Sequence, residues 1–382
     1  MPDMPRDLLG LISYLREQKE FRRIANNLLM QWGPQNRPLL GPEFLPPRFL
    51  DENEGTISEV RIRSVAAKDK SRYSPAPKVG RPQMFGSIRY RLGDSALLYE
   101  ITGSDYDGLV KWLDRNLSME AAARLLGLFR DGLIKSLVEH DELKIWEAVQ
   151  TNAVTRRGDN GYFQYENGPD LSAHFVDVSA EPWLEADVDP WEHIFNAVNT
   201  LVDLGFDKGG IRIVYTNKVA NALRRNPHTA TRAGKSVIVT NGSGQITASR
   251  LTTTVSNADL TGLFEGEGLQ APREYDRRIG TETGEVRAYA EGHMSFIAST
   301  GMNEEVRFNQ DNPADVRVVN DVLGFLGVGK PPGQPTPMRE TFVRAFTEQT
   351  DKRIETEGAQ TTGPVILTPQ ARVELSGILE EA

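Results

Sequence analysis

The chain has 382 residues, of which 39% are hydrophobic, with a net charge of −9 and a mean hydropathy of −0.43. This length suffices for two or three lobes around a sizeable core, and no run approaches the eighteen apolar residues of a membrane span. Charged residues surround the first short apolar stretch, so no signal peptide is expected. The absence of cysteine excludes disulfides, thiolate metal sites and a cysteine nucleophile.

The first fifty residues combine a helical pattern with a proline-rich connector. Apolar residues between 5 and 32 recur at helical spacing and predict an amphipathic helix. The stretch from Pro34 to Pro47 contains five prolines and little periodicity. It therefore predicts an extended connector that lies over another element.

Residues 61–92 carry nine Lys or Arg side chains against one acid, Asp69, which leaves a net charge of −17 for the rest of the chain. Apolar residues alternate with arginines at both ends of this stretch, a pattern that predicts two half-buried strands joined by a long basic tip. Such an arm cannot bury itself. The cations are Arg61, Arg63, Lys68, Lys70, Arg72, Lys78, Arg81, Arg89 and Arg91.

Three hypotheses fit the basic arm: a solvated loop, a nucleic-acid arm, or a clasp between subunits. Nucleic-acid arms interleave aromatic residues for base stacking, whereas this arm offers only Tyr73 and Phe85. Net acidity of the chain also argues against a protein covered by nucleic acid. The clasp explains the extension, the segregated charge and the acidic remainder together.

The longest regular element follows. From Ser118 to Asn152 there is no proline and one apolar face, which predicts a helix of 35 residues, about 52 Å long. Its predicted solvent side carries Glu139, Asp141 and Glu142. We expect the basic arm of one subunit to meet these three acids on the next.

Residues 188–335 predict a lobe of alternating strands and helices. Asp189-Pro-Trp-Glu192 is a helix start, with a capping Asp and Pro at the first helical position. A second helix is predicted from a cap at Asn217 to a break at Pro227. The predicted strands are 211–215, 236–240, 245–254, 286–290 and 294–298; after a Pro/Gly linker, 340–353 and 363–375 predict strands that return to the lobe of the long helix.

No catalytic, cofactor-binding or metal-binding constellation emerges, so we predict that the chain is not an enzyme and needs no cofactor. Ala233-Gly-Lys-Ser236 lacks the first glycine of a phosphate loop, because Thr229 stands there. A turn that enters a strand is the better interpretation. The five histidines form no HxxxH or HExxH pair, and Asp105/Asp107 and Asp187/Asp189 fit helix starts.

The order of these parts resembles the tailed-phage major capsid proteins with the Hong Kong 97-like fold, most of all the lambda-type (E protein) family. The stretches 73–83, 292–298 and 363–375 are similar to the family. The resemblance implies an α+β fold with an N-terminal arm (1–54), an extended β E-loop (55–95), a P-domain (96–187) with a spine helix at about 105–152, a central α/β A-domain (188–335) and return strands of the P-domain (336–382).

The function implied by the resemblance is structural. Hexamers and pentamers would tile an icosahedral head around packaged DNA, in the virion and, during assembly, in the host cytoplasm. Implied partners are other copies, a separate scaffolding protein, a portal and a decoration protein. An acidic body would touch DNA weakly and non-specifically, and no membrane contact is expected. The alternatives are an encapsulin-like compartment shell, a P-loop-like nucleotide-binding enzyme resting on 234–236, and a DNA-binding arm protein.

Overall fold

The structure is a computed structural model with a mixed α+β architecture built from several small sheets and few helices. The α+β part of the prediction is confirmed. The structure describes residues 39–58, 87–115, 121, 124–125, 127–128, 135–154, 161–166, 170–240, 246–251, 255–281, 284–307, 316–331, 342–348 and 353–379. The predicted helix at 5–32 and the predicted strand at 60–63 lie outside these residues.

The helices are α1 (Gly103–Asp114), α2 (Lys135–Thr151), α3 (Pro190–Asp203), α4 (Asn217–Arg225), α5 (Pro227–Arg232) and α6 (Asn257–Gly266). Single 3-10 turns occur at Gly41–Glu43, Ser172–His174, Lys208–Gly210 and Pro369–Ala371.

The strands are β1 (Pro47–Phe49), β2 (Glu54–Ser58), β3 (Ser87–Arg91), β4 (Gly93–Ile101), β5 (Tyr162–Glu166), β6 (Phe175–Asp177), β7 (Arg212–Tyr215), β8 (Ser236–Thr240), β9 (Ile246–Leu251), β10 (Arg273–Glu274), β11 (Arg278–Thr281), β12 (Gly284–Arg287), β13 (Met294–Ile297), β14 (Asn303–Arg307), β15 (Val316–Asn320), β16 (Gly324–Val328), β17 (Phe342–Glu348), β18 (Arg353–Ile366) and β19 (Arg372–Ser376).

Strand β18 organises the first large sheet, whose order is β1-β16-β18-β17. Its fourteen residues pair with β17 and β16 along one edge and with β4 along the other. Gln360 of β18 donates hydrogen bonds to the carbonyl of Leu137 and to Asp141 Oδ1 of α2. The prediction that this part of the chain returns to the long helix is therefore confirmed for β18.

The second large sheet has the order β10-β7-β13-β19-β6 and lies mostly within the predicted central lobe. The last strand, β19, pairs antiparallel with β13 and parallel with β6. Its Arg372 also donates to the carbonyl of Ala148 in α2 at 2.8 Å. The C-terminal strand thus links the second sheet to helix α2, while the predicted domain limits stay predictions.

The predicted long helix is described in part. Every described residue between 121 and 151 is helical, and α2 alone is about 25 Å long. Asn152 has a φ of +57°, which ends the helix. The limits of about 105–152 are wrong as one uninterrupted helix, because α1 ends at Asp114 and a turn follows at Arg115.

The helices α3 and α4 and several strands begin close to where the sequence predicts them. Asp189 caps α3 by accepting a hydrogen bond from the Trp191 amide at 3.0 Å. The prediction for α4 was wrong by one residue: Thr216 is the cap, because its backbone is extended and its hydroxyl faces the Val219 amide. Strands β7, β8, β9, β12 and β13 all overlap the predicted strands.

The core centres on Trp146 of α2, which is fully buried. Its ring packs edge-on against Phe44 and Tyr289, with centroids 5.7 and 4.9 Å away, and against Tyr275 at 5.5 Å. Phe44 belongs to the proline-rich connector, which is buried between Leu39 and Leu45 except for the half-buried Glu43. The prediction that the connector lies over another element is confirmed for its described residues.

Candidate functional site

Strands β2, β3 and β5 form a three-stranded sheet at the base of the basic segment. Ser58 lies opposite Ser87 in the antiparallel β2–β3 ladder. The last described residue before the basic segment and the first one after it are therefore neighbours in this sheet. Seven of the nine predicted interface cations fall between these two points and lie outside the described residues: Arg61, Arg63, Lys68, Lys70, Arg72, Lys78 and Arg81.

The two described cations of the segment, Arg89 and Arg91, lie on one face of β3. Both are exposed, whereas Ile88 and Tyr90 between them are buried, so the predicted alternation is confirmed for this strand. Arg91 Nε lies 2.9 Å from Glu54 Oε1 on the neighbouring strand. Arg89 has no ion pair within the part of the chain that the structure describes.

The prediction that three acids line the solvent side of the long helix is wrong. Asp141 is buried and accepts hydrogen bonds from Gln360 Nε2 at 3.0 Å and from the Thr362 hydroxyl at 2.5 Å. Glu142 is also buried. Glu139 is mostly covered and lies 2.5 Å from the Arg277 guanidinium. Strand β18, the connector and the segment before β11 cover this side of α2, so these acids bind within their own chain.

Glu142 is the most fully engaged of the three carboxylates. Its oxygens accept hydrogen bonds from the amides of Leu40 and Gly41, at 3.2 and 3.0 Å, and from Trp146 Nε1 at 2.7 Å. The Tyr275 hydroxyl donates a fourth bond at 2.6 Å. Burial raises the pKa of Glu142 above its ordinary value, although these donors oppose the shift. Oε1 accepts all four of these bonds, and Oε2 has one further contact, with the Gly41 amide at 3.2 Å, so this buried carboxyl group joins elements of the fold.

A second buried polar cluster, which the sequence analysis missed, surrounds Glu374 on β19. His293 Nδ1 lies 2.9 Å from Glu374 Oε1, and the Ser295 hydroxyl donates to the other carboxylate oxygen. The Tyr289 hydroxyl lies 2.7 Å from the Ser295 oxygen. Because Ser295 bonds to the acid and not to the histidine, the cluster lacks the base–nucleophile contact of a hydrolase.

The apparent phosphate loop is a turn that enters strand β8, as predicted. Gly234 has a φ of +67°, and Lys235 Nζ lies 3.7 Å from Asp259 Oδ1. The acid pairs also have local roles: Asp189 caps α3, and Asp105 lies 2.8 Å from Arg124. Within the described ranges no group of three potential metal ligands occurs, and no helix has the length and apolarity to cross a membrane.

The outer face of β4 exposes a large apolar side chain. Asp94, Ala96, Leu98 and Glu100 alternate as exposed residues along this strand, and Leu98 keeps 57% of its surface exposed. On the opposite face, Ser95 accepts a hydrogen bond from the buried Lys144 of α2 at 2.9 Å. The outward row thus combines an apolar centre with an acid at each end.

No protein-family profile and no curated protein sequence matches the chain. Solved structures are similar at low identity. A phage-related protein from Bordetella bronchiseptica RB50 is 12% identical with a TM-score of 0.47, covering 94% of this chain and 97% of that one. The satellite phage P4 procapsid, with its size determination protein, is 8% identical with a TM-score of 0.46, covering 98% of both chains.

An encapsulin is also among the similar structures. The holo-SrpI encapsulin complex from Synechococcus elongatus PCC 7942 is 10% identical with a TM-score of 0.39, covering 90% of both chains. All three TM-scores lie below 0.5, so function has to be argued from the residues of this chain.

Proposed function

We propose that the chain is a shell-forming protein, the major capsid protein of a tailed bacteriophage. Its copies assemble as hexamers and pentamers into an icosahedral head around packaged double-stranded DNA. The observation that carries the proposal is the β2–β3 ladder, which places Ser58 opposite Ser87. A basic segment of 28 residues therefore begins and ends at one point of a small sheet, as an arm that reaches another subunit requires.

The charge of this arm supports a contact between copies. Residues 59–86 hold seven Lys or Arg and two acids in a chain whose net charge is −9. The basic arm finds little opposite charge on its own sheet, because Glu54 already lies beside Arg91. Another copy of the same acidic chain is the complementary partner that assembly supplies without a second protein.

The acids that the arm meets on a neighbouring copy cannot be Asp141 and Glu142, since both are buried. We assign this role to the outer face of β4, where Asp94 lies on the same face as the exposed Leu98 and its Oδ1 also accepts a hydrogen bond from the Thr361 hydroxyl at 2.5 Å. Lysine and arginine stems can cover a leucine while a charged end reaches the carboxylate. The clasp then joins the arm of one copy to the first large sheet of the next.

Further partners follow from a head filled with DNA. A separate scaffolding protein, a portal and a decoration protein belong to this proposal, and the acidic body contacts the packaged DNA only weakly. The second candidate is an encapsulin-like compartment shell, which the same arm would serve equally well. The two candidates differ in what the shell encloses.

Negative-stain electron microscopy of the purified full chain tests the proposal. We expect regular closed shells or capsomers. Particles produced with a scaffolding protein and the DNA-packaging machinery should contain DNA that resists nuclease, whereas a compartment shell should instead enclose protein cargo. A chain that stays monomeric at all concentrations and salt conditions would overturn both candidates.

A further inference from the structure

Strands β7, β13 and β19 lie side by side, and surfaces of opposite charge lie at their two ends. Tyr215 of β7 pairs with Met294 of β13 at one end, and Arg212 pairs with Ile297 at the other. The two ends are about 10 Å apart along β7.

A groove of about 560 Å³ lies at the Tyr215 end, between α4 and the turns that precede β13 and follow β19. Lys218 Nζ lies 2.8 Å from Glu291 Oε1, whereas Arg225 is exposed and has no ion pair in the described ranges. Leu184 on the lining is 52% exposed. The titratable lining residues are Lys218, Arg225, Glu291 and His293, of which Glu291 also pairs with Arg287 and His293 contacts the buried Glu374.

The Arg212 end is acidic. The turn after α3 and the end of α6 meet there, since Gln270 Nε2 donates to the carbonyl of Gly209 at 3.1 Å. Leu204, at the end of α3, is 37% exposed. Exposed acids lie on these two segments, none with an ion pair in the described part of the chain: Asp203, Asp207, Glu265 and Glu267. Together with Lys208 in the same turn, these five residues sum to a charge of −3.

We propose that these two ends bind each other between copies of the chain, head to tail. The acidic turn of one copy, centred on Leu204, occupies the α4 groove of the next, with its carboxylates toward Arg225. The groove volume lies in the range of ligand-sized clefts, roughly 300–1,000 Å³. Because the two surfaces differ, the contact is heterologous, and its repetition closes into a ring or continues as a filament.

This contact deepens the proposed function, because it rests on assembly of identical copies and names one surface through which they associate. It is independent of the basic arm. The groove and the acidic turn lie in the second sheet and its helices, whereas the arm and the β4 face belong to other sheets. The two contacts can therefore fail separately.

The absence of cysteine from the chain allows a clean cross-linking test. The double variant Leu184→Cys with Leu204→Cys places one thiol at the groove and one at the acidic turn. On mild oxidation we expect a ladder of disulfide-linked oligomers on a non-reducing gel, whereas each single variant stays at monomer mass. The control pairs Leu184→Cys with Val318→Cys, an apolar residue on β15 that is more exposed than Leu204, and should give no ladder.

Charge reversal provides the second readout. Arg225→Glu in the double-cysteine background should abolish the ladder, and adding Asp203→Arg with Glu267→Arg should restore it. A ladder that ignores these charges, or no ladder from a chain that forms shells, overturns the inference and leaves the proposed function intact. A charge-dependent ladder without shells supports the contact and overturns the proposed function, while the absence of both overturns both.

Discussion

The carboxylate of Glu142 accepts a hydrogen bond of 2.6 Å from the hydroxyl of Tyr275, 133 residues further along the chain. The same carboxylate binds the amides of Leu40 and Gly41 from the connector. Helix α2, the connector and the segment before β11 therefore meet at one buried carboxyl group. Nearby, Arg277 pairs with Glu139 one turn earlier on α2. The segment before β11 therefore contacts the same helix through two polar pairs.

Removal of this carboxylate should destabilise the fold. Glu142→Ala leaves two amides, an indole N–H and a phenol without their acceptor, and each buried unsatisfied group costs about 1–3 kcal/mol. We expect the free energy of unfolding to fall by at least about 3 kcal/mol, measured by urea denaturation with circular dichroism. The control Glu265→Ala, on the exposed side of α6, should change it by less than about 0.5 kcal/mol.

The raised pKa of Glu142 predicts a pH dependence of stability. Burial makes the folded pKa higher than that of the unfolded chain, so the folded state holds a proton that the unfolded state has lost. The stabilising contribution is therefore complete below about pH 4.5, the ordinary value, and disappears as the pH rises through the folded pKa. Urea titrations of wild type and Glu142→Gln should show this slope only in wild type; equal slopes would contradict the assignment.

The sequence predicts those features that local chemistry decides. The exposed Arg89 and Arg91 follow from strand alternation, and the start of α3 follows from the capping Asp189. The burial of Asp141 and Glu142 could not be predicted, because charged helix residues ordinarily face solvent. Their partners come from strands and turns far away in sequence, and only the tertiary structure brings those donors to α2.

The head-to-tail surfaces were unpredictable for a related reason. Arg225 ends α4 and Leu204 follows α3, and neither forms a motif with its sequence neighbours. Only the strand pairing of Tyr215 with Met294 and of Arg212 with Ile297 assigns them to opposite ends of one sheet. A pattern within a single element carries no information about which end of the sheet it reaches.

Gly324 should not tolerate a side chain. A Cβ at this position of β16 would lie 2.0 Å from the carbonyl oxygen of Val365 in β18, too close for any relaxation short of moving the strand. We expect Gly324→Ala to lower the urea midpoint strongly or to give insoluble protein. Gly262→Ala on α6, where a Cβ meets nothing within 4 Å, should instead be neutral or stabilise by about 0.4–1 kcal/mol.

The turn at Gly234 to Ser236 should not bind nucleotides. Lys235 lies beside Asp259, and the residues that follow the turn form strand β8 in place of the helix that follows a phosphate loop. Isothermal titration with ATP or GTP and magnesium should give no measurable heat for wild type or for Lys235→Ala. Micromolar binding that the alanine variant loses would revive the nucleotide-binding alternative.

The clasp between copies should depend on charge at the base of the arm and on the β4 face. An exposed ion pair contributes only ~0–1 kcal/mol of stability, so we expect single changes to have little effect on assembly. A shell repeats the contact in every copy, so several changes together should have a large effect.

The quadruple variant Arg61, Arg63, Arg89 and Arg91→Glu should remain folded by circular dichroism and fail to assemble in sedimentation velocity. Asp94→Lys should weaken assembly likewise, and the double reversal of Lys111 on α1 and Arg115 in the turn that follows it is the control that should leave assembly unchanged. Wild-type assembly should also weaken toward 1 M salt, where the Debye length falls to about 3 Å. Normal assembly of the quadruple variant would reduce the arm to a solvated basic loop.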